Sequence, residues 1–135
     1  MKNRTKKVTA IVVFALVGII AVLFILNMGV GADISDTKVK VTSFWYNEEI
    51  LFSDIESVNI YTDFDYGERI SSIGFIGAHR GTYKNEMLGE YKCAVNKDVD
   101  SCIVIKLKSG EYYVFNSSDR AHTSTVYNHI KSKIA

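Results

Sequence analysis

An uninterrupted run of uncharged residues near the N-terminus, Val8–Leu26, constrains this chain more than any other feature. The run holds 19 residues, most of them Val, Ile, Leu, Ala and Phe. An α-helix of about 20 apolar residues spans the hydrocarbon core of a bilayer. We therefore predict one transmembrane helix over residues 8–30, followed by a short linker over residues 31–37.

Basic residues before the apolar run predict its orientation. Lys2, Arg4, Lys6 and Lys7 precede it, and segments rich in Lys and Arg stay on the cytoplasmic side. We expect a single-pass protein of the cell membrane, with residues 1–7 in the cytoplasm and the C-terminal domain outside. The alternative is a cleaved signal peptide, since Val30-Gly31-Ala32 offers small residues for cleavage, but the apolar run exceeds the usual length of about 7–15 residues. Both interpretations give the domain the same compartment.

The remaining chain, residues 38–135, is long enough for one small domain. From residue 33 onward it carries 12 Lys and Arg against 15 Asp and Glu, a net charge of −3. Nucleic-acid binding needs clustered cations against phosphates, which a mildly acidic domain does not supply. The same balance disfavours attraction to anionic lipid.

Alternation of apolar and polar residues predicts strands through most of the domain. Ser109-Gly110 suits a two-residue hairpin loop, which would place Leu107 opposite Tyr112 and Ile105 opposite Val114. Tyr46–Glu49 is predicted to be a turn. The predicted strands are Lys38–Tyr46, Ser57–Phe64, Arg80–Lys84, Glu90–Val95, Ser101–Lys108 and Glu111–Asn116, with a short apolar run at Ile50–Phe52.

A helix over about Asp119–Ile134 is predicted to end the chain. Ser117 or Ser118 can cap it, and Asp119 suits its positive N-terminal dipole. The spacing of its apolar residues forms one stripe, made of Val126, Tyr127, Ile130 and Ile134. The predicted fold class is mainly β (β+α), a bent antiparallel sheet or partly open barrel of six or seven strands with the helix at an open end.

The segment Tyr66–Gly89 differs from the rest because it holds five of the nine glycines. We interpret Gly74, Gly77 and Gly81 as structural glycines in tight turns or close backbone contacts. Cations and rings alternate between them and form a candidate binding surface for an anionic or aromatic ligand or a partner protein: Arg69, Phe75, His79, Arg80, Tyr83 and Lys84. The competing interpretation is structural, with Phe75 in the core and Arg69 paired with Asp63 or Asp65.

The two cysteines, Cys93 and Cys102, allow two interpretations. A disulfide is permitted outside the cell, and a two-residue turn at Lys97-Asp98 would place the cysteines opposite each other. The apolar pattern favours separate thiols, because Cys102 lies on the strand face opposite to Ile103. A zinc site is not expected, since no second Cys/His pair accompanies them.

Catalytic motifs are missing from the sequence, which has neither a nucleophile elbow nor a phosphate-binding glycine loop. His122 and His129 share one face of the predicted helix, and Asp63 and Asp65 flank Phe64. Both pairs are more simply explained as solvated side chains than as metal ligands or an acid–base pair. We predict no enzyme activity, no metal and no cofactor.

Several of these segments resemble a family of bacterial pleckstrin-homology (PH) domains that often follow a membrane helix. The resemblance covers about residues 38–134 and is carried by Ser53–Val58, by Arg69–Gly74 with Gly77 and Arg80–Tyr83, and by the hairpin Ile103–Phe115. It implies a bent barrel of seven strands capped by a helix, without established catalytic residues. PH domains that bind phosphoinositides use a basic first hairpin loop, and the acidic Tyr46–Glu49 disfavours such binding here.

Taken together, the sequence predicts a membrane-anchored, non-catalytic binding or scaffolding module whose partner is another membrane or envelope protein. A sensor that binds a small molecule or lipid inside the barrel, and an accessory subunit of a membrane enzyme, are the alternatives.

Overall fold

The computed structural model describes residues 2–27, 29–43, 46–72 and 78–135. Its first element is helix α1, Lys2–Asn27. The part of this helix over Lys2–Phe24 is long and apolar enough to cross a membrane, and none of it is buried against the rest of the chain. These side chains have no protein core to enter, which agrees with the prediction of a membrane-spanning length.

The domain that follows contains nine strands in two sheets among the residues described. A three-stranded antiparallel sheet has the order β1-β2-β3, and a six-stranded sheet has the order β4-β8-β9-β7-β6-β5. The strands are β1 Gly31–Ile34, β2 Lys38–Ser43, β3 Tyr46–Leu51, β4 Ile55–Thr62, β5 Glu68–Ser72, β6 Ala78–Asn85, β7 Gly89–Asn96, β8 Ser101–Leu107 and β9 Tyr112–Phe115. A short 3-10 helix, Phe52–Asp54, joins the two sheets.

The fold class predicted from the sequence is confirmed, but the strands are more numerous than expected. Strand β1 lies in residues predicted to be linker and pairs with β2. The predicted turn at Tyr46–Glu49 was wrong, because these residues belong to β3, which pairs with β2. Acidic side chains were read as a turn signal, yet they stand on an edge strand where they remain solvated.

The hairpin between β8 and β9 was predicted with a register that is wrong by one residue. Ile105 lies opposite Tyr113, and Lys106 lies opposite Tyr112. The loop therefore has three residues, Lys108-Ser109-Gly110, and Gly110 adopts a φ of +96°. Three-residue hairpin loops commonly place a left-handed residue last, where glycine has no Cβ to clash.

Strand β9 lies between β8 and β7, and this placement sets the shape of the larger sheet. It pairs antiparallel with β8 but parallel with β7. Strands β7 and β8 are consecutive in sequence, and a turn at Lys97-Asp98 would have paired them directly; the structure separates them by a strand. Only the β7–β9 pair is parallel among the strands described.

The main core fills the space between the two sheets and the C-terminal helix α2, Arg120–Ile134. The predicted apolar stripe of this helix is confirmed: Val126 and Ile130 are fully buried, and Tyr127 and Ile134 pack against the same core. Asp119 caps the helix, because its side chain accepts a hydrogen bond from the His122 backbone N–H at 2.7 Å. Burial of the stripe against β4 and β1 fixes the helix on the domain.

Candidate functional site

A second cluster of buried residues lies on the other face of the six-stranded sheet. Strands β4 and β5 form opposite edges of that sheet, so their connection, residues 63–67, must cross the face. This connection brings Phe64 and Tyr66 onto the side chains of β6 and β7. We call residues 63–67 the strap.

Five rings beneath and within the strap form a closed circuit, which we call the aromatic cluster. Neighbouring ring centroids lie 5.2 to 6.2 Å apart, the separation at which aromatic pairs attract each other. In order around the circuit the rings are Phe64, Tyr66, His79, Tyr83 and Tyr91. The sequence had predicted only His79 and Tyr83 of this set, four residues apart on one face of β6.

Hydrogen bonds hold the strap on the sheet. The Tyr91 hydroxyl donates to the Tyr66 carbonyl at 2.5 Å, and the Asn85 side-chain amide donates to the Asp65 carbonyl at 2.8 Å. His79 Nδ1 lies 3.1 Å from the Tyr83 hydroxyl. Each of these bonds satisfies a polar group beside buried apolar surface, where an unpaired group would be costly.

Burial keeps the ionisable members of this region in their neutral forms. It raises the pKa of both Tyr66 and Tyr91 well above the usual range of tyrosine. It raises the pKa of the Cys93 thiol strongly and that of Cys102 to about 11, although a hydrogen bond from Tyr66 acts in the opposite direction. Thiols in this state are poor nucleophiles at neutral pH, because the thiolate is the reactive species.

His79 is a half-buried member of the aromatic cluster, like Phe64 and Tyr66, and two cations lie near it. Its pKa is lowered mainly by burial and further by the positive charges of Lys97 and Arg69. Arg69 lies opposite Tyr83 in the β5–β6 register, and Lys97 follows the end of β7, where Val95 lies opposite His79. Both cations are exposed. We call Arg69 and Lys97 the cationic rim.

The remaining predicted site residues that the structure describes do not join the aromatic cluster. Arg80 is only 6% exposed. Because side chains along a strand point to alternate faces, Arg80 lies on the face of β6 opposite to His79 and Tyr83, toward the main core. Burial lowers the pKa of its guanidinium. Lys84 is exposed and lies opposite Glu68 and Glu90 on that same face. Gly81 has a φ of +125°. The predicted residues Phe75, Gly74 and Gly77 lie outside the described residues.

The two cysteines are free thiols. Cys93 lies opposite Val114, and Val114 lies opposite Val104, two residues beyond Cys102. Two strand spacings of about 4.8 Å therefore separate their strands, whereas a disulfide needs Cα atoms within about 7 Å. The structure thus has separate thiols, because β9 lies between β7 and β8.

A buried polar network joins the start of the domain to its centre. The Asn96 side chain accepts a hydrogen bond from the Val30 N–H at 2.7 Å and donates to the Val30 carbonyl at 2.8 Å and the Ser117 carbonyl at 2.9 Å. The Asn116 side chain in turn binds the backbone of Asn96 and Ser101. We call the pairing of Asn96 with Val30 the Asn96 clamp.

Among the residues described, no group of three or more His, Cys, Asp or Glu side chains is placed to hold a metal ion. His122 Nδ1 lies 2.5 Å from the Ser117 hydroxyl, and the His129 ring contacts Phe52. The two histidines thus serve separate contacts.

The sequence model of a family described as bacterial PH domain matches residues 30–119. No curated protein and no solved structure matches the chain.

Proposed function

The chain belongs to the bacterial PH domain family through residues 30–119, and on that premise we propose that it is a membrane-tethered, non-catalytic binding module. Helix α1 anchors it in the cell membrane, with the basic N-terminus in the cytoplasm and the PH domain outside. PH-like domains are generally non-catalytic. The partner in this proposal is another membrane or envelope protein.

The ionisable groups in and beside the aromatic cluster support binding over catalysis. Cys93 and Cys102 are 2% and 0% exposed, so a substrate cannot reach their sulfur atoms. The raised pKa of each thiol keeps it protonated. The Tyr66 and Tyr91 hydroxyls are likewise held neutral by burial, so neither is poised to exchange a proton near pH 7.

The observation that carries the proposal is that two exposed cations from different strands flank a half-buried aromatic surface. Arg69 and Lys97 approach His79 from β5 and from the end of β7. In a domain whose net charge is negative, this cationic rim is a distinct place for an acidic segment of a partner. The neighbouring rings add the amphipathic contact area that is common at interfaces.

Crosslinking in intact membranes tests this surface. A photoreactive amino acid at exposed Asp98, next to Lys97 of the rim, would capture the partner from cells producing the full chain. We expect Arg69→Ala with Lys97→Ala to abolish the captured species. The matched control is Lys84→Ala, because Lys84 is an exposed cation of the adjacent strand on the opposite sheet face. Recovery of the same species by all three chains would contradict the assignment.

A protease experiment tests the proposed location separately. Protease added to whole cells should digest the domain while leaving the N-terminal tag and α1 protected. If the domain survives until the cells are lysed, it lies inside, and the proposed location is wrong.

A further inference from the structure

We infer that the Asn96 clamp holds the PH domain in one orientation, with the end formed by the Asn96–Asp100 loop and the Asn116–Arg120 turn apposed to the lipid headgroup layer. This inference rests on the proposed membrane anchoring and adds to it a defined surface that faces the bilayer. Its starting point is the short distance along the chain between α1 and the clamp.

Chain length limits how far the domain can move from the membrane. Helix α1 ends at Asn27, and the backbone of Val30 is already held by both its N–H and its carbonyl. Three residues span at most about 11 Å. Val30 is 2% exposed, so its release would open the buried network.

The packing around the clamp leaves little room for an alternative arrangement. Asn96 is 7% exposed, and Asn116 and Ser117 are 0% and 1% exposed. A side chain at Gly29 would bring its Cβ to 2.7 Å from Asn96 Oδ1. The close approach of backbone to Asn96 therefore requires a glycine just before Val30, which shortens the free part of the connection further.

The strand directions then define which parts of the domain face the lipid. Strand β7 runs from Gly89 to Asn96, so its eight residues place its two ends about 25 Å apart. The β6–β7 turn at Met87 lies at the end away from the clamp. The clamp end carries polar side chains, including the Arg120–Asp100 ion pair at 3.5 Å, which suits a hydrated headgroup layer and not the hydrocarbon core.

One consequence concerns the cationic rim. Lys97 follows Asn96 directly, so a partner that reaches the rim does so close to the bilayer surface. The kind of partner that fits is a protein whose acidic segment lies next to its own membrane helix.

Depth measurements on the full chain in vesicles of zwitterionic lipid test the orientation. A fluorescent probe would be attached at Lys97→Cys or, as the matched control, at Met87→Cys, which is 60% exposed at the opposite end. The native thiols are buried and remain unlabelled. We expect a nitroxide-labelled headgroup lipid to quench the probe at position 97 several times more strongly than the probe at position 87.

Two further variants test whether the short connection between α1 and the clamp holds the domain in its orientation. Insertion of about six Gly and Ser residues after Met28 keeps the clamp intact but lengthens the connection, so the contrast between the two probes should fall. Asn96→Leu should reduce the contrast as well; if that variant does not fold, the insertion alone decides.

The outcomes distinguish the two proposals. Equal quenching at both positions, in a chain that floats with the vesicles, would overturn the fixed orientation and leave the membrane anchor standing. An unchanged contrast in the insertion variant would overturn the role of the clamp. A chain that does not float with vesicles would overturn the anchoring and with it this inference.

Discussion

Replacement of Asn116 by leucine should be among the most damaging single changes in this domain. Asn116 is fully buried, and its side chain makes three hydrogen bonds: it accepts from the Asn96 N–H at 2.7 Å and donates to the carbonyls of Asn96 and Ser101, each at 3.1 Å. Leucine has a similar volume, so the change leaves no large cavity. It does leave the Asn96 N–H and the Ser101 carbonyl without this partner, and the Asn96 carbonyl keeps only the Val99 N–H, at 3.4 Å.

The magnitude follows from those three bonds. Each contributes about 1 kcal/mol net, and a buried group left unsatisfied costs about 1–3 kcal/mol. With two groups left unsatisfied and one further bond lost, the free energy of unfolding should fall by about 3–7 kcal/mol. Small domains have only about 5–15 kcal/mol in total. Asn116→Leu should therefore leave the domain marginally stable or unfolded.

Urea unfolding of the full chain in lipid nanodiscs, followed by circular dichroism, measures this loss. With a slope of about 1–3 kcal/mol per M, the midpoint should fall by at least about 1 M at unchanged slope. The matched control is Asn59→Leu, because Asn59 is exposed on β4 and should change stability by no more than about 0.5 kcal/mol. A loss below about 1 kcal/mol for Asn116→Leu, or one equal to the control, would refute the reasoning.

Three further predictions use the core, the thiols and the histidine of the aromatic cluster. Ile130→Ala removes a fully buried side chain of the helix stripe and should cost about 2–5 kcal/mol in the same assay; a cost below about 1 kcal/mol would contradict the docking of α2. Because burial raises the pKa of Cys102 to about 11, the folded chain should resist thiol alkylation up to about pH 9. When unfolded without reductant, the chain should gain two alkyl adducts, measured by intact mass. Adducts on the folded chain would contradict the burial of the thiols. The raised thiol pKa also makes stability depend on pH. The contribution of the thiols to stability is fully present below the thiol pKa of the unfolded chain and declines as pH rises toward the thiol pKa of the folded chain. Burial lowers the pKa of His79, so as pH falls the unfolded chain takes up a proton on this imidazole before the folded chain does. Stability should therefore decline as pH falls below about 6.5. His79→Gln should flatten this part of the stability profile, and an unchanged slope would exclude His79 as the source of the decline.

The parts of the structure that depend on local spacing could be predicted from the sequence. The apolar stripe of α2 repeats every three to four residues, and that period alone places Val126 and Ile130 in the core. The placement of β9 could not be predicted, because the pairing of β9 with β7 is non-local and no residue pattern indicates it. Strand β8 is buried on both faces from Ser101 to Ile105, so its alternation does not distinguish one face from the other.

The candidate site, too, could be predicted only where it depends on spacing within one strand. His79 and Tyr83 could be found because they share one face of a single strand, and Arg80 could be assigned to the opposite face by the same alternation. Tyr66 and Phe64 reach the site through the strap, which crosses the sheet in a direction that no local pattern records. Lys97 joins the cationic rim only because β6 and β7 pair at that end.

The strand order also has a consequence for how this protein is made. Strand β4 pairs with β8, and β7 gains its second neighbour only from β9. A chain that emerges with its N-terminus first must therefore wait for residues 101–115 before the larger sheet can assemble, since these pairings join distant segments. Until then β4 has no partner strand, so its backbone groups stay hydrated, whereas the pairings of β1 with β2 and of β2 with β3 are local and can already form.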